Sequence, residues 1–301
     1  MRTRRERERT HRERVDRRGC AMIENMTLRV PSLAEAVAAY HALGYQDAGE
    51  SSAATIALSD PALEGLPHHS IVMSEEPFQT LTMVEWEGEV PTPFAAPGWS
   101  AMEVLVKDLD ALFEQLPTAY TVLNPPAALS FSDQIRAMQV AGPAGELIYF
   151  TEVSGEVPGF ALPTPTRQVN QCFVMINAVT DIQQSIAFYA GLLECEAPSP
   201  MPARVSILSR TNGLDEEHRH DIAPIALGPG QLFELDQWVA RPQDSGGAIP
   251  CGWHSLSLHR DTPPPTGMGE ARRSVTADLD CFDITTPDGE RIEWLCPAGM
   301  A

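Results

Sequence analysis

One structural unit recurs four times along the chain, and no other feature restricts the fold as strongly. The unit is a short alternating strand, an amphipathic helix and then three strands. Its clearest copy starts at Cys172. CFVMINAV reads as a strand, Asp181 as a helix N-cap, and Ile182, Ile186, Tyr189 and Leu193 share one helical face. ARVSIL, DIAPIAL and GQLFELD then supply three strands. A first copy opens with NMTLRV, continues with the helix SLAEAVAAYHALGY, and closes with ATIAL, HSIVMS and TLTMVEW as strands. The second runs from AMEVLV through the helix DLDALFEQL to YTVL, IRAMQV and ELIYFTE. The fourth begins with GWHSLSLH and ends with LDCFDIT and RIEWL. Between them RDTPPPTGMG replaces most of the helix, because three consecutive prolines exclude one.

The turn before the final strand supports the repeat in three copies: PAGELI at 143–148, PGQLF at 229–233 and PDGERI at 287–292, each with a Gly to supply positive φ. Gly98-Trp99 and Gly252-Trp253 open the even-numbered copies. The Pro- and Gly-rich stretch 152–168 separates copies two and three and reads as a linker. The expectation is an α+β fold of four tandem βαβββ units, paired into two half-barrel domains, over 22–151 and 169–301. Each half can close a cleft by itself, so a homodimer is allowed but not required.

Residues 1–21 form an Arg-rich tail expected to be disordered. Residues 1–18 hold nine Arg and four acids, a charge of +5 that leaves -25 on the remainder of a chain whose total is -20. Such an acidic body is unsuited to general nucleic-acid binding. No apolar run reaches the roughly 18–20 residues of a membrane helix, and no apolar core follows the basic start as an export signal requires. The six cysteines include no C-x-x-C pair and read as reduced, mostly buried thiols of a cytoplasmic protein. Dinucleotide, P-loop, nucleophile-elbow and zincin motifs are absent.

The tandem unit, with Asp181, Ser185, Phe188 and Tyr189 on its helix and Pro287-Asp288-Gly289 leading to Ile292-Glu293, resembles the vicinal oxygen chelate superfamily. That superfamily contains glyoxalase I, extradiol dioxygenases and bleomycin-resistance proteins. The resemblance covers nearly all of 22–298. It implies paired units around a cleft, in which His and Glu from first and last strands hold a divalent metal ion (Fe, Mn, Ni or Zn) beside a small-molecule substrate.

Carried over position by position, the last-strand carboxylates are Glu234 and Glu293, the catalytic and metal-binding candidates. Alternation places Glu293 opposite Ile292 and Trp294. The first-strand slot of the third unit is Val174, which cannot bind metal; that of the fourth is His254. Alternation puts His254 with Leu256 and Leu258, and Ser255, Ser257 and His259 on the other face. If the leucines pack under neighbouring structure, His254 goes with them and His259 points into the cleft. Trp253, His259, Phe233 and Trp294 are the substrate-contact candidates. The slots in the first two units read Asn25, Glu85, Ala101 and Tyr149, which is too few donors for a metal. Of the other histidines, His218 and His220 read as a surface loop. His68 and His69 would point to opposite faces of a strand.

Two functions follow from the resemblance. One is a metal-dependent lyase, isomerase or oxygenase acting on a small oxygenated molecule in the C-terminal cleft. The other is a metal-free small-molecule binding or sequestering protein.

Overall fold

A computed structural model describes residues 19–49, 51–75, 78–129, 132–155, 162–228, 230–239, 250–272 and 276–299. The tail over 1–18 therefore lies outside the described residues. Unit one comprises β1 (Met22–Val30), α1 (Leu33–Ala42), β2 (Gln46–Asp47), α2 (Ser52–Leu58), β3 (His68–Glu75) and β4 (Phe78–Glu85). Unit two comprises β5 (Gly98–Val106), α3 (Leu109–Glu114), β6 (Thr121–Leu129), β7 (Ser132–Ala141) and β8 (Leu147–Val153). Unit three comprises β9 (Val169–Val179), α4 (Ile182–Leu193), β10 (Met201–Arg204), α5 (Ser206–Thr211), β11 (Arg219–Gly228) and β12 (Gln231–Gln237). Unit four is β13 (Gly252–His259), β14 (Glu270–Arg272), β15 (Leu279–Thr285) and β16 (Arg291–Pro297), and its proline-rich stretch forms no helix.

Local chemistry explains most of these elements. Ser32, Asp108 and Asp181 cap α1, α3 and α4 by accepting backbone N–H groups of the first turn. Gly145, Gly230 and Gly289, in the turns before the final strands, have φ of 76°, 77° and 94°, as the repeat requires. Two expected strands are helices instead. ATIAL belongs to α2, because Ser51 caps Ala54 and the alanines favour the helix over the strand. In the third unit the strand ends at Arg204, and Ser206–Thr211 turns into α5.

The units pair differently from their order along the chain. The first strands β1 and β13 join units one and four, and β5 and β9 join units two and three. Each pair is antiparallel and makes one eight-stranded sheet. These are called below the outer-unit and inner-unit sheets. A cleft within each sequence half, 22–151 or 169–301, is therefore not what the sheets build; each cleft draws on both halves. All four first strands carry similar alternation, so local sequence leaves their partners undecided. A shared core decides it. Met26, Leu28, Leu256 and Trp294 of one sheet, Met175 and Phe233 of the other, and Tyr40 and Tyr189 of α1 and α4 form one apolar cluster. Polar links cross the same boundary: Gln79 bonds both N–H and C=O of Cys172 at 2.8 and 3.0 Å, and the Tyr45 hydroxyl donates to the Asn170 carbonyl at 2.7 Å.

Candidate functional site

Each sheet turns one face to the shared core and the other away from it, and the away faces differ. On the outer-unit sheet, alternation exposes Asn25 and Thr27 of β1, Thr80 and Thr82 of β4, Ser255 and Ser257 of β13, and Glu293 of β16 on that face, yet all are 0 % exposed. Several bond one another. Asn25 accepts from Thr80 and Thr82 at 2.9 and 2.8 Å, and Ser257 donates to Glu293 at 3.0 Å. Helix α2 packs across β1, β13 and β16, with Ala53 and Ile56 against Leu279, Cys281 and Leu295. This face is filled.

Its carboxylates also gather on one arginine. Arg291 pairs with Asp60, with Asp283 at 3.0 Å and with Glu293 at 3.3 Å. His254 joins through Asp60, Nε2 to Oδ2 at 2.9 Å. Leu256 and Leu258 do pack in the core, but His254 does not follow them. The register jumps from Thr27↔Ser255 to Leu28↔Trp253, so His254 is the extra residue of a bulge and swings to Asp60. Burial lowers its pKa despite the carboxylate. His259 meets Glu24 at 3.2 Å, and that contact raises its pKa.

The inner-unit sheet keeps its away face open. A cavity of about 190 Å³ is lined by Glu103 of β5, Gln139 of β7, Tyr149 of β8, Val174 and Ile176 of β9, and Leu232 and Glu234 of β12, with apolar walls from Leu162, Phe173, Val205 and Ile222. Glu103 lies beside both Tyr149 and Val174 in the sheet register, and Val174 lies beside Leu232. Asp236, fully buried, follows Glu234 on the same face of β12.

Burial dominates the electrostatics of this cavity. Desolvation, then the nearby Glu234 charge, pushes Glu103 up to about 8, although the Thr151 hydroxyl donates to it at 2.5 Å. Asp236 is pushed well above its ordinary range by burial and by the neighbouring Glu234 carboxyl. Burial raises Glu234 as well, with the neighbouring Asp236 opposing the rise. Tyr149 is raised by burial and by these three carboxyls. Arg204 borders the cavity with its Nη1 on Glu217 at 2.6 Å. Such carboxyls keep or exchange a proton near neutral pH, the property of an acid–base pair.

The candidate residues are thus divided rather than gathered. Glu234 is in the inner-unit cavity, whereas Glu293 and His254 lie in the filled face of the outer-unit sheet. Phe233 and Trp294 are 0 % exposed and point into the shared core, where Phe233 packs on Trp99 and Tyr189 and Trp294 donates to the Thr262 carbonyl. Neither can contact a ligand in a cleft. Trp253 borders a groove between the sheets, and His259 is tied to Glu24. Val174 lines the cavity in its expected slot. Glu103 and Asp236 were missed, although AMEVLV carried a signal: a lone carboxylate in an otherwise apolar strand. His220 is buried on β11 with Nε2 2.8 Å from Ser209 Oγ, so it is not in a loop.

Neither face holds an open His-and-carboxylate donor set of the kind expected for a divalent metal. The inner-unit cavity has carboxyls and no histidine among its described lining residues. In the outer-unit sheet the Arg291 guanidinium already occupies the space between Asp60 and Glu293.

With strand order 2-3-4-1 in each unit, first strands joined and an open face lined by first and last strands, the chain has the fold of the vicinal oxygen chelate superfamily. Glyoxalase I from Zea mays is similar at 11% identity and TM-score 0.60, covering 92% of each chain. A "putative dioxygenase" from Bacillus subtilis is similar at 12% identity and TM-score 0.58, covering 93% of this chain and 86% of that one. No family model and no curated protein matches the sequence. Among the described residues no helix is long and apolar enough to cross a membrane.

Proposed function

We propose that the inner-unit cavity is the functional site, and that it binds a compact oxygenated molecule and moves a proton on it by carboxyl acid–base chemistry without a metal in the cleft. The observation that carries this reading is the gathering of Glu103, Glu234 and Tyr149 in the lining of one cavity, with Asp236 buried beside Glu234 and no basic group bonded to these carboxyls among the described residues. Glu234, with Asp236 beside it on the same strand face, is the base that accepts a proton from the substrate. Glu103, which keeps its proton at neutral pH, donates to the oxygen on which charge develops, and the Tyr149 hydroxyl can donate to the same atom.

The test is hydrogen–deuterium exchange in compact α-hydroxycarbonyl compounds, followed by proton NMR in heavy water. The protein should accelerate exchange, and Glu234→Gln should lose about 10²–10⁴-fold, the usual worth of a positioned acid or base. Exchange that survives Glu234→Gln, or that a chelator abolishes, would overturn the reading. The same excess of carboxyls supports a second one, a binder of small cations. Small amines would then raise the melting temperature with no turnover of any compound.

A further inference from the structure

Away from both clefts, three side chains from three elements of unit one meet at the rim of the outer-unit sheet, on its helix-covered side. His41 is in the last turn of α1, Asp47 in β2 and His69 in β3. His41 Nε2 lies 2.7 Å and His69 Nε2 lies 2.8 Å from the same Asp47 Oδ1. The imidazoles stand edge to face with centroids 6.0 Å apart, and the three donor atoms all lie within 4.8 Å of one another. The fold creates this meeting. Asp47 pairs with Ile71 across β2 and β3, two residues from His69, and α1 brings His41 over them.

Because the Asp47 carboxylate only accepts, both imidazoles use their Nε2–H on one oxygen, and these bonds hold the Asp47 carboxyl below its usual range. That is a cramped arrangement for three hydrogen-bonding groups and a natural one for a metal. Zinc bonds to N and O of about 2.0–2.2 Å at tetrahedral angles separate donors by roughly 3.3 Å, so each imidazole need part from Asp47 by only about half an ångström, and the two Nε2 atoms, within 4.8 Å of each other, are in reach of the same spacing. They have freedom to do so, with side chains 39%, 63% and 34% exposed for His41, Asp47 and His69. Each imidazole would move its proton to Nδ1 and present the Nε2 lone pair. The fourth position opens on a groove between α1 and β4 that Leu33, Val37 and Glu85 border.

We propose that His41, Asp47 and His69 form a zinc site that clamps α1 to the β2–β3 edge. It stands apart from the cleft chemistry proposed above. Glu85, the carboxylate nearest this groove, accepts from the Leu33 N–H at 3.1 Å and leaves the fourth position to water or a borrowed ligand.

The test uses the full chain stripped with chelator, titrated with zinc chloride by calorimetry, with melting temperature read in parallel. One equivalent should bind, and the melting temperature should rise with zinc. His41→Ala and His69→Ala should each weaken binding by more than the roughly 10–100-fold typical of outer-shell partners and abolish the thermal shift. His68→Ala, whose imidazole lies outside the cluster, should keep both, which controls for adventitious binding by other histidines and thiols. His69→Gln preserves shape and hydrogen bonding if an alanine variant fails to fold. Binding and shift that persist in His69→Gln, or zinc that neither binds nor stabilises the parent protein, would overturn the site whatever the inner-unit cavity does.

Discussion

The two sheets share a unit and a strand order, yet one open face is filled and the other is a cavity. The difference begins with a short helix. In the outer-unit sheet α2 lands across β1, β13 and β16 and seals the centre with Ala53 and Ile56. In the inner-unit sheet α5 stays at the edge, where Ser209 bonds His220 on β11, and Val205 and Ser206 become cavity wall. Charge follows the same division. On the filled face Arg291 pairs with Asp60, Asp283 and Glu293, whereas Glu103 and Glu234 line the cavity with Asp236 buried beside Glu234, and no cation is bonded to them among the described residues. A buried carboxylate that meets arginine serves folding; carboxyls without one, beside empty volume, are available for a ligand.

The largest expected effect tests that contrast. Arg291→Ala leaves carboxylates facing one another in the filled face, and should cost about 3 kcal/mol, the lower end for breaking a buried pair because Arg291 is 26% exposed. Urea unfolding measures it. Glu234→Gln should cost nothing or stabilise, and the reverse order would break the comparison. Ile56→Ala, which truncates the plug, should cost about 2 kcal/mol or more by calorimetry while leaving ligand binding in the inner-unit cavity unchanged.

A smaller effect depends on pH. Glu103 ionises near 4.5 in the unfolded chain and near 8 in the fold, so the stability it confers below pH 4.5 is lost as pH rises towards 8. Glu103→Gln never ionises. Its melting temperature should match the parent's near pH 4.5 and exceed it by a few degrees at pH 8; a gain of equal size at both would sharpen the case for packing instead. The smallest effect is none at all: chelation should leave the inner-unit activity unchanged.

Much of the fold was legible in the chain. Period, helix caps and the glycine turns are local properties, and they set four βαβββ units. The face of Glu293 followed from alternation with Ile292 and Trp294, and the slot of Val174 from the family resemblance. The site was less legible. His254 defied alternation because one bulged residue turned it over. Phe233 and Trp294 looked like cleft aromatics because a strand face has no label for inside or outside until a second layer covers it. Glu234 and Glu293 occupy equivalent slots of neighbouring units but belong to different sheets.

By itself, then, the sequence determined the repeating unit, its turns and the carboxylates of its strands, since these depend on contacts a few residues apart. Only the tertiary structure decided that unit one joins unit four and unit two joins unit three, that α2 fills one face, and that Glu103 from one half of the chain meets Glu234 from the other. Those outcomes rest on which apolar faces pack together across more than a hundred residues, and similar first strands hold no local preference among their partners.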